Sequence, residues 1–194
     1  MRLFVGLELP WELRQRVAVL AGAGIPGARW VPAENYHVTL RFIGEAPRYL
    51  AEEIDHALAA LKAPAFALTL AGIGTFAKGG RSQSLWLGVE RCEALDRLQG
   101  KIETALQRCG LEPERRRFSP HVSLARLDNG SEVKVAAFVQ AHNLFRAEPV
   151  AVEHFTLFSS LLGKDQPVYT PEVEYALGQQ MNLAAQSQNA EPDH

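Results

Sequence analysis

HVTL at residues 37–40 returns as HVSL at residues 121–124, and the fold follows from reading the two stretches as equivalent strands. In an extended chain, successive side chains point to opposite faces. His37 and Thr39 therefore share one face, and Val38, Leu40 and Phe42 share the other. His121 and Ser123 pair in the same way, with Val122 and Leu124 behind them. Each strand has an aliphatic side to bury and presents an imidazole and a hydroxyl on the opposite side.

Working outward, periodicity and breakers predict the neighbouring elements. Leu3 to Leu9 reads as a strand, and Pro10 starts a helix reaching about Ala21. A loop with Pro26 and a short extended piece at Trp30–Val31 lead to the first histidine strand, which Gly44 ends. A helix from about Tyr49 to Leu61 carries Leu50, Ile54, Leu58 and Leu61 at helical spacing, and Phe66 to Thr75 is strand-like. Past the Gly79–Gly80 turn come a strand at Ser84–Val89 and a helix at Glu93–Arg108. The second histidine strand, a helix at Glu132–His142, a strand at Val152–Leu161 and a closing strand at Tyr169–Leu177 complete the order.

Strand, helix, histidine strand, helix, strand therefore occurs twice, over 2–75 and 84–161. The spacing from Leu3 to His37 is 34 residues (37 − 3), and from Leu85 to His121 it is 36 (121 − 85). The repeat predicts an α+β fold of two pseudo-symmetric lobes, whose polar strand faces line one cleft. Residues 1–178 form a single bilobal domain on this reading, and the polar stretch 179–194 is expected to be a disordered tail.

Two imidazoles and two hydroxyls in one cleft suit an in-line displacement at phosphorus. One ring takes a proton from water and the other gives a proton to the leaving oxygen. Thr39 and Ser123 donate to the non-bridging oxygens. An unperturbed imidazole, with a pKa near ~6.5, serves either role close to neutrality. A single HxT or HxS is a weak signal, and the weight lies in two copies at matching places.

Composition narrows the partners. The chain has 194 residues, 47% hydrophobic and 22% charged, with 20 basic and 22 acidic side chains and a net charge of −2. Proteins that grip long nucleic acid through its phosphates are usually basic, so a non-specific nucleic-acid binder is disfavoured. A small phosphorylated end needs only a few local positive groups. Cys92 and Cys109 have no metal-site or CxxC spacing and are expected to be free thiols. No stretch approaches the ~20 apolar residues of a membrane span, and the N-terminus lacks a signal-peptide pattern. A cytoplasmic monomer is the expectation.

The segments RLFVGLELP (2–10), ARWVPAENYHVTLRFIGE (28–45) and RFSPHVSLARL (117–127) resemble those of the bacterial RNA 2′,3′-cyclic phosphodiesterases. These are also called 2′-5′ RNA ligases and belong to the 2H phosphoesterase superfamily. The similarity continues through GIGTFAKGGRSQSLWLGVE (72–90) and FTLFSSLLGKDQPVY (155–169), about residues 2 to 175 in all. It implies antiparallel sheets lining a central cleft with helices outside. It implies metal-independent opening of an RNA or nucleotide 2′,3′-cyclic phosphate to a 2′-phosphate, without a cofactor and with possible reverse 2′-5′ ligation. His37 is then the general acid, His121 the general base, and Thr39 and Ser123 hold the phosphate. The second motif has serine where threonine is commoner. Arg126 stands where a phosphate-binding arginine is frequent, yet strict alternation puts it opposite His121. It reaches the cleft only if the strand ends or bulges near Ala125.

Other residues are weaker candidates. Arg41 shares parity with His37 and is expected at the cleft mouth or in solvent. Phe76 is a candidate for stacking on a base, whereas Trp86 is expected in the core. Arg115, Arg116 and Arg117 read as a solvated loop, His56 and His142 as surface histidines, and His154, just before an apolar strand, as a surface or a buried one. Three other functions compete: a zinc hydrolase, which wants three or four converging ligands; a non-enzymatic RNA-end binder; and hydrolysis of another phosphodiester such as ADP-ribose cyclic phosphate.

Overall fold

A computed structural model describes residues 1–22 and 24–178, so the expected tail at 179–194 lies outside the described residues. The elements are β1 (Arg2–Glu8), α1 (Trp11–Ala18), β2 (Ala28–Trp30), a 3-10 turn at Ala33–Asn35, β3 (His37–Glu45), α2 (Arg48–Ala59), β4 (Phe66–Leu68) and β5 (Leu70–Lys78). They continue with β6 (Arg81–Val89), α3 (Glu93–Arg108), β7 (His121–Leu127), α4 (Glu132–His142), β8 (Val150–Val152), β9 (His154–Leu161) and β10 (Val168–Ala176).

Seven strands run in the order β10-β9-β1-β3-β7-β6-β5, and β2 adds to β7 as an eighth. All the pairings are antiparallel. The two histidine strands meet at the centre through one pair, Val38 opposite Val122. The sheet therefore divides there into two halves. Each sequence repeat sends its last strand into the other half: β5 pairs with β6, and β9 pairs with β1. The crossing segments β4 and β8 pair with each other in a small second sheet. The segments 2–75 and 84–161 are thus repeats of element order, while each half of the sheet draws strands from both.

The aliphatic strand faces and the helix stripes form one core. Leu3, Val5, Leu7, Val38, Leu40, Leu85, Leu87, Val122 and Leu124 pack there with Ile54 and Leu58 of α2. Leu95, Leu98, Ile102 and Leu106 of α3 join them, all at the i, i+3, i+4 spacing of a helix face. Each such burial stabilises by about 1.5–3 kcal/mol. The other face of the sheet is left to the histidines.

Candidate active site

Both histidine strands carry the same irregularity. In the β1–β3 ladder, Gly6 faces Thr39 and Val5 faces Arg41, so Leu40 is an extra residue. In the β6–β7 ladder, Trp86 faces Ser123 and Leu85 faces Ala125, so Leu124 is extra. A bulge of one residue flips the faces beyond it. Leu40 and Arg41 are consequently both buried, as are Leu124 and Ala125, and the next residues, Phe42 and Arg126, turn to the histidine side.

This corrects two expectations. Arg41 lies neither at the cleft mouth nor in solvent: it is 8% exposed. It donates to the Glu103 carboxylate and to the carbonyls of Phe42 and Glu112, fixing the bulge to α3 and to the loop beyond it. Phe42, expected on the aliphatic face, is 60% exposed and lines the cleft. Arg126 arrives beside it through the bulge at Leu124–Ala125.

The cleft holds a cavity of about 290 Å³ lined by His37, Thr39, Phe42, His121, Ser123 and Arg126. Asn35 and the loop Asp165–Pro167, with Tyr169 behind it, form its far wall. The Asn35 amide ties that wall down by donating to the Pro167 carbonyl at 2.9 Å.

Both imidazoles are held alike. His37 Nδ1–H donates to the Asn35 carbonyl at 2.7 Å, and His121 Nδ1–H donates to the Ser119 carbonyl at 2.7 Å. A carbonyl can only accept, so the proton sits on Nδ1 in each neutral ring and Nε2 is left for chemistry. Thr39 Oγ1 lies 3.0 Å from His37 Nε2 and donates to it when the ring is neutral. Tyr169 stands edge-on to His37 with centroids 5.1 Å apart, and Phe76 stands edge-on to His121 at 5.0 Å. Burial pushes the His37 pKa below its ordinary value. The bond to Asn35 works against this, while His121 and Arg14 add to it by charge.

Phe76 is 42% exposed on the His121 side. Trp86 is half-buried, 6.3 Å from His121 between ring centroids, with its indole over Gly74. A Cβ on Gly74 would come within 2.4 Å of that ring, so glycine is required. Arg115, Arg116 and Arg117 form an exposed loop, and His56 is exposed. His142, expected on the surface, is half-buried, and so is His154, for which the sequence leaves surface and burial both open. Cys92 and Cys109 are free thiols. Among the described residues no helix is long and apolar enough to cross a membrane. One group of three potential metal ligands is present among them, and it includes neither motif histidine.

Residues 12–164 match the 2′-5′ RNA ligase superfamily. The chain belongs to that family. It is 32% identical over 152 residues to the RNA 2′,3′-cyclic phosphodiesterase of Aeropyrum pernix, a match covering 77% of this chain and 86% of the relative. To the protein of the same name from Escherichia coli it is 30% identical, over 92% of this chain and 97% of the relative. A crystal structure of E. coli LigT complexed with 3′-AMP superposes with a TM-score of 0.74 at 28% identity, covering 91% of this chain and 97% of that one. A further solved structure, described as a phosphoesterase, gives a TM-score of 0.76 at 28% identity. The family's α+β fold, with an antiparallel sheet and helices behind it, is thus the fold of this chain.

Proposed function

We propose that this chain hydrolyses RNA or nucleotide 2′,3′-cyclic phosphates to 2′-phosphates by acid/base catalysis between His37 and His121. The observation that carries this reading is the pair of identically tethered imidazoles. Both Nδ1 atoms are committed to carbonyls, and both rings line one cavity with Thr39, Ser123 and Arg126.

The phosphorus sits between the rings. His121 Nε2 takes a proton from water as the water oxygen bonds to phosphorus. The P–O3′ bond breaks in line with that attack, and His37 Nε2–H gives its proton to the departing 3′ oxygen. The product is a 2′-phosphate with a free 3′ hydroxyl, and the two rings have exchanged protonation states. Thr39, Ser123 and Arg126 hydrogen-bond the non-bridging oxygens, where a guanidinium offsets charge best. Nothing in this sequence requires a metal or a cofactor.

The ribose lies on the side of its leaving oxygen, which is the His37 side. Phe42 is the exposed aromatic on that strand, and its ring stands 6.0 Å from Phe4, which in turn packs on His37 at 4.9 Å. We therefore place the base of the cyclic nucleotide against Phe42. Phe76 flanks the water side and is placed to stack on the 5′-hydroxyl partner when the reaction runs backwards as 2′-5′ ligation.

The test is a panel of 2′,3′-cyclic phosphates on mononucleotides, oligonucleotides and ADP-ribose, in excess EDTA, with product isomers resolved. Turnover to 2′-phosphates in EDTA is expected. Loss of activity in the chelator, or 3′-phosphate products, would overturn the scheme.

A further inference from the structure

On the histidine face of the sheet, β1, β9 and β10 bring together Glu8, His154 and Glu174. One ligand atom from each lies within 4.8 Å of the other two. His154 Nε2 is shut off from solvent yet has no hydrogen-bond partner, and Glu174 Oε1 is 4.0 Å away. Thr156 makes the second, independent observation. It is fully buried, and its Oγ1 also lacks a partner. Thr156 pairs with Gly6 on one side and Glu174 on the other. Its sequence neighbours Phe155 and Leu157 belong to the core, so its hydroxyl turns to the opposite face, with His154 two residues before it. Gly6 contributes no side chain there. An imidazole nitrogen and a hydroxyl left unpaired together are costly unless something else sits among them.

We propose that Glu8, His154 and Glu174 form a binding site for a divalent transition-metal ion of the zinc class. His154 Nε2 and one oxygen from each carboxylate are the ligands, water completes the shell, and the Thr156 hydroxyl donates to a ligating carboxylate. Zinc–ligand bonds of ~2.0–2.2 Å put tetrahedral ligand atoms ~3.4 Å apart. The carboxylates must close by about an ångström, which Glu174 can do because its side chain is 59% exposed. Arg14 holds Glu8 Oε1 at 3.2 Å and leaves Oε2 for the metal. Two carboxylates against one guanidinium leave a net negative charge to meet the cation. The ion clips β1 to the β9–β10 hairpin, whose connecting loop is the far wall of the cleft. It takes no part in the phosphate chemistry.

The test uses the full chain, stripped of metal and titrated calorimetrically with zinc chloride, with cobalt absorption as a spectroscopic readout. A His37→Ala/His121→Ala variant removes the motif imidazoles as competing ligands. One equivalent should bind to wild type and to that variant alike, at about micromolar Kd or tighter. His154→Ala should abolish binding, and Glu174→Gln should weaken it at least tenfold. At zinc ~100-fold above Kd the unfolding midpoint of wild type should rise by roughly 5–10 °C, and that of His154→Ala should not move. Cyclic phosphodiesterase activity of His154→Ala in EDTA, at the wild-type level, reports an intact fold and separates this site from the hydrolytic one. Absence of binding below millimolar zinc, binding that survives His154→Ala, or binding lost only with His37 and His121 would each overturn the proposal.

Discussion

In β3 the motif imidazole is walled in by Phe4, Phe158 and Tyr169, whereas in β7 the equivalent ring has Phe76 at its edge, Trp86 farther off and solvent beyond. The tether of each ring, the hydroxyl two residues on and the bulge after it are the same. What differs is the finish. Position +4 from the histidine is a buried arginine in one strand and an alanine in the other. Position +5 is an aromatic in β3 and a cation in β7. The repeated element order thus presents two equally tethered imidazoles, and the residues after the bulges give one side an exposed aromatic and the other a guanidinium.

The largest test of that symmetry is removal of each ring. His37→Ala and His121→Ala should each lower kcat by about 10²–10⁴-fold. The double variant should be little worse than either single one, because the two act as a unit. Near wild-type kcat in either would break the pairing. Next in size is Arg126→Ala, expected to lower kcat/KM by about 10–150-fold through loss of a charge-assisted hydrogen bond. Lysine should restore only part of that, because it lacks the fork. Phe42→Ala should cost about 5–100-fold in kcat/KM on nucleoside cyclic phosphates. The same variant should leave a ribose cyclic phosphate without a base unaffected, and Phe76→Ala should have little effect on hydrolysis. The reverse pattern would exchange the two aromatic sides.

The smallest effect is one of pH. Burial of His37 favours its neutral form, so as general acid it loses its proton below the usual ~6.5. One limb of the bell-shaped kcat/KM profile should therefore coincide with the His37 pKa measured by NMR in the free protein, below the ordinary imidazole value. The limb in kcat should lie higher, since a bound phosphate anion favours the imidazolium. If neither limb follows the His37 titration, His37 is not one of the two proton-transfer groups.

Much of this was legible in the sequence. The element order and the paired motifs can be read from spacing alone, because burial on one strand face imposes alternation. Alternation also explains what was missed. The bulges at Leu40 and Leu124 involve ordinary aliphatic residues with no glycine to mark them, so parity put Arg41 in the cleft and Phe42 in the core. The family resemblance pointed to Arg126 as a phosphate-binding residue, and the bulge explains how its side chain comes to line the cleft. Pairing partners were equally invisible: periodicity says that Phe66–Thr75 is extended, but not that the chain breaks at Thr69 to send β4 toward β8 and β5 toward β6. His154 gave no sign either, since β1 is remote in sequence and the β9–β10 register that sets Glu174 near it cannot be read from periodicity.

The exchange of β5 and β9 between the halves bears on how the molecule is made. Neither half of the chain contains a complete sheet, so neither has a stable state to reach by itself. Most of the ordering entropy is spent before the distant β1–β9 contacts return it, which slows folding relative to a tandem of independent lobes. In compensation the lobes cannot melt separately. The cleft should be assembled or lost in one cooperative step, with neither motif histidine held in place without the other.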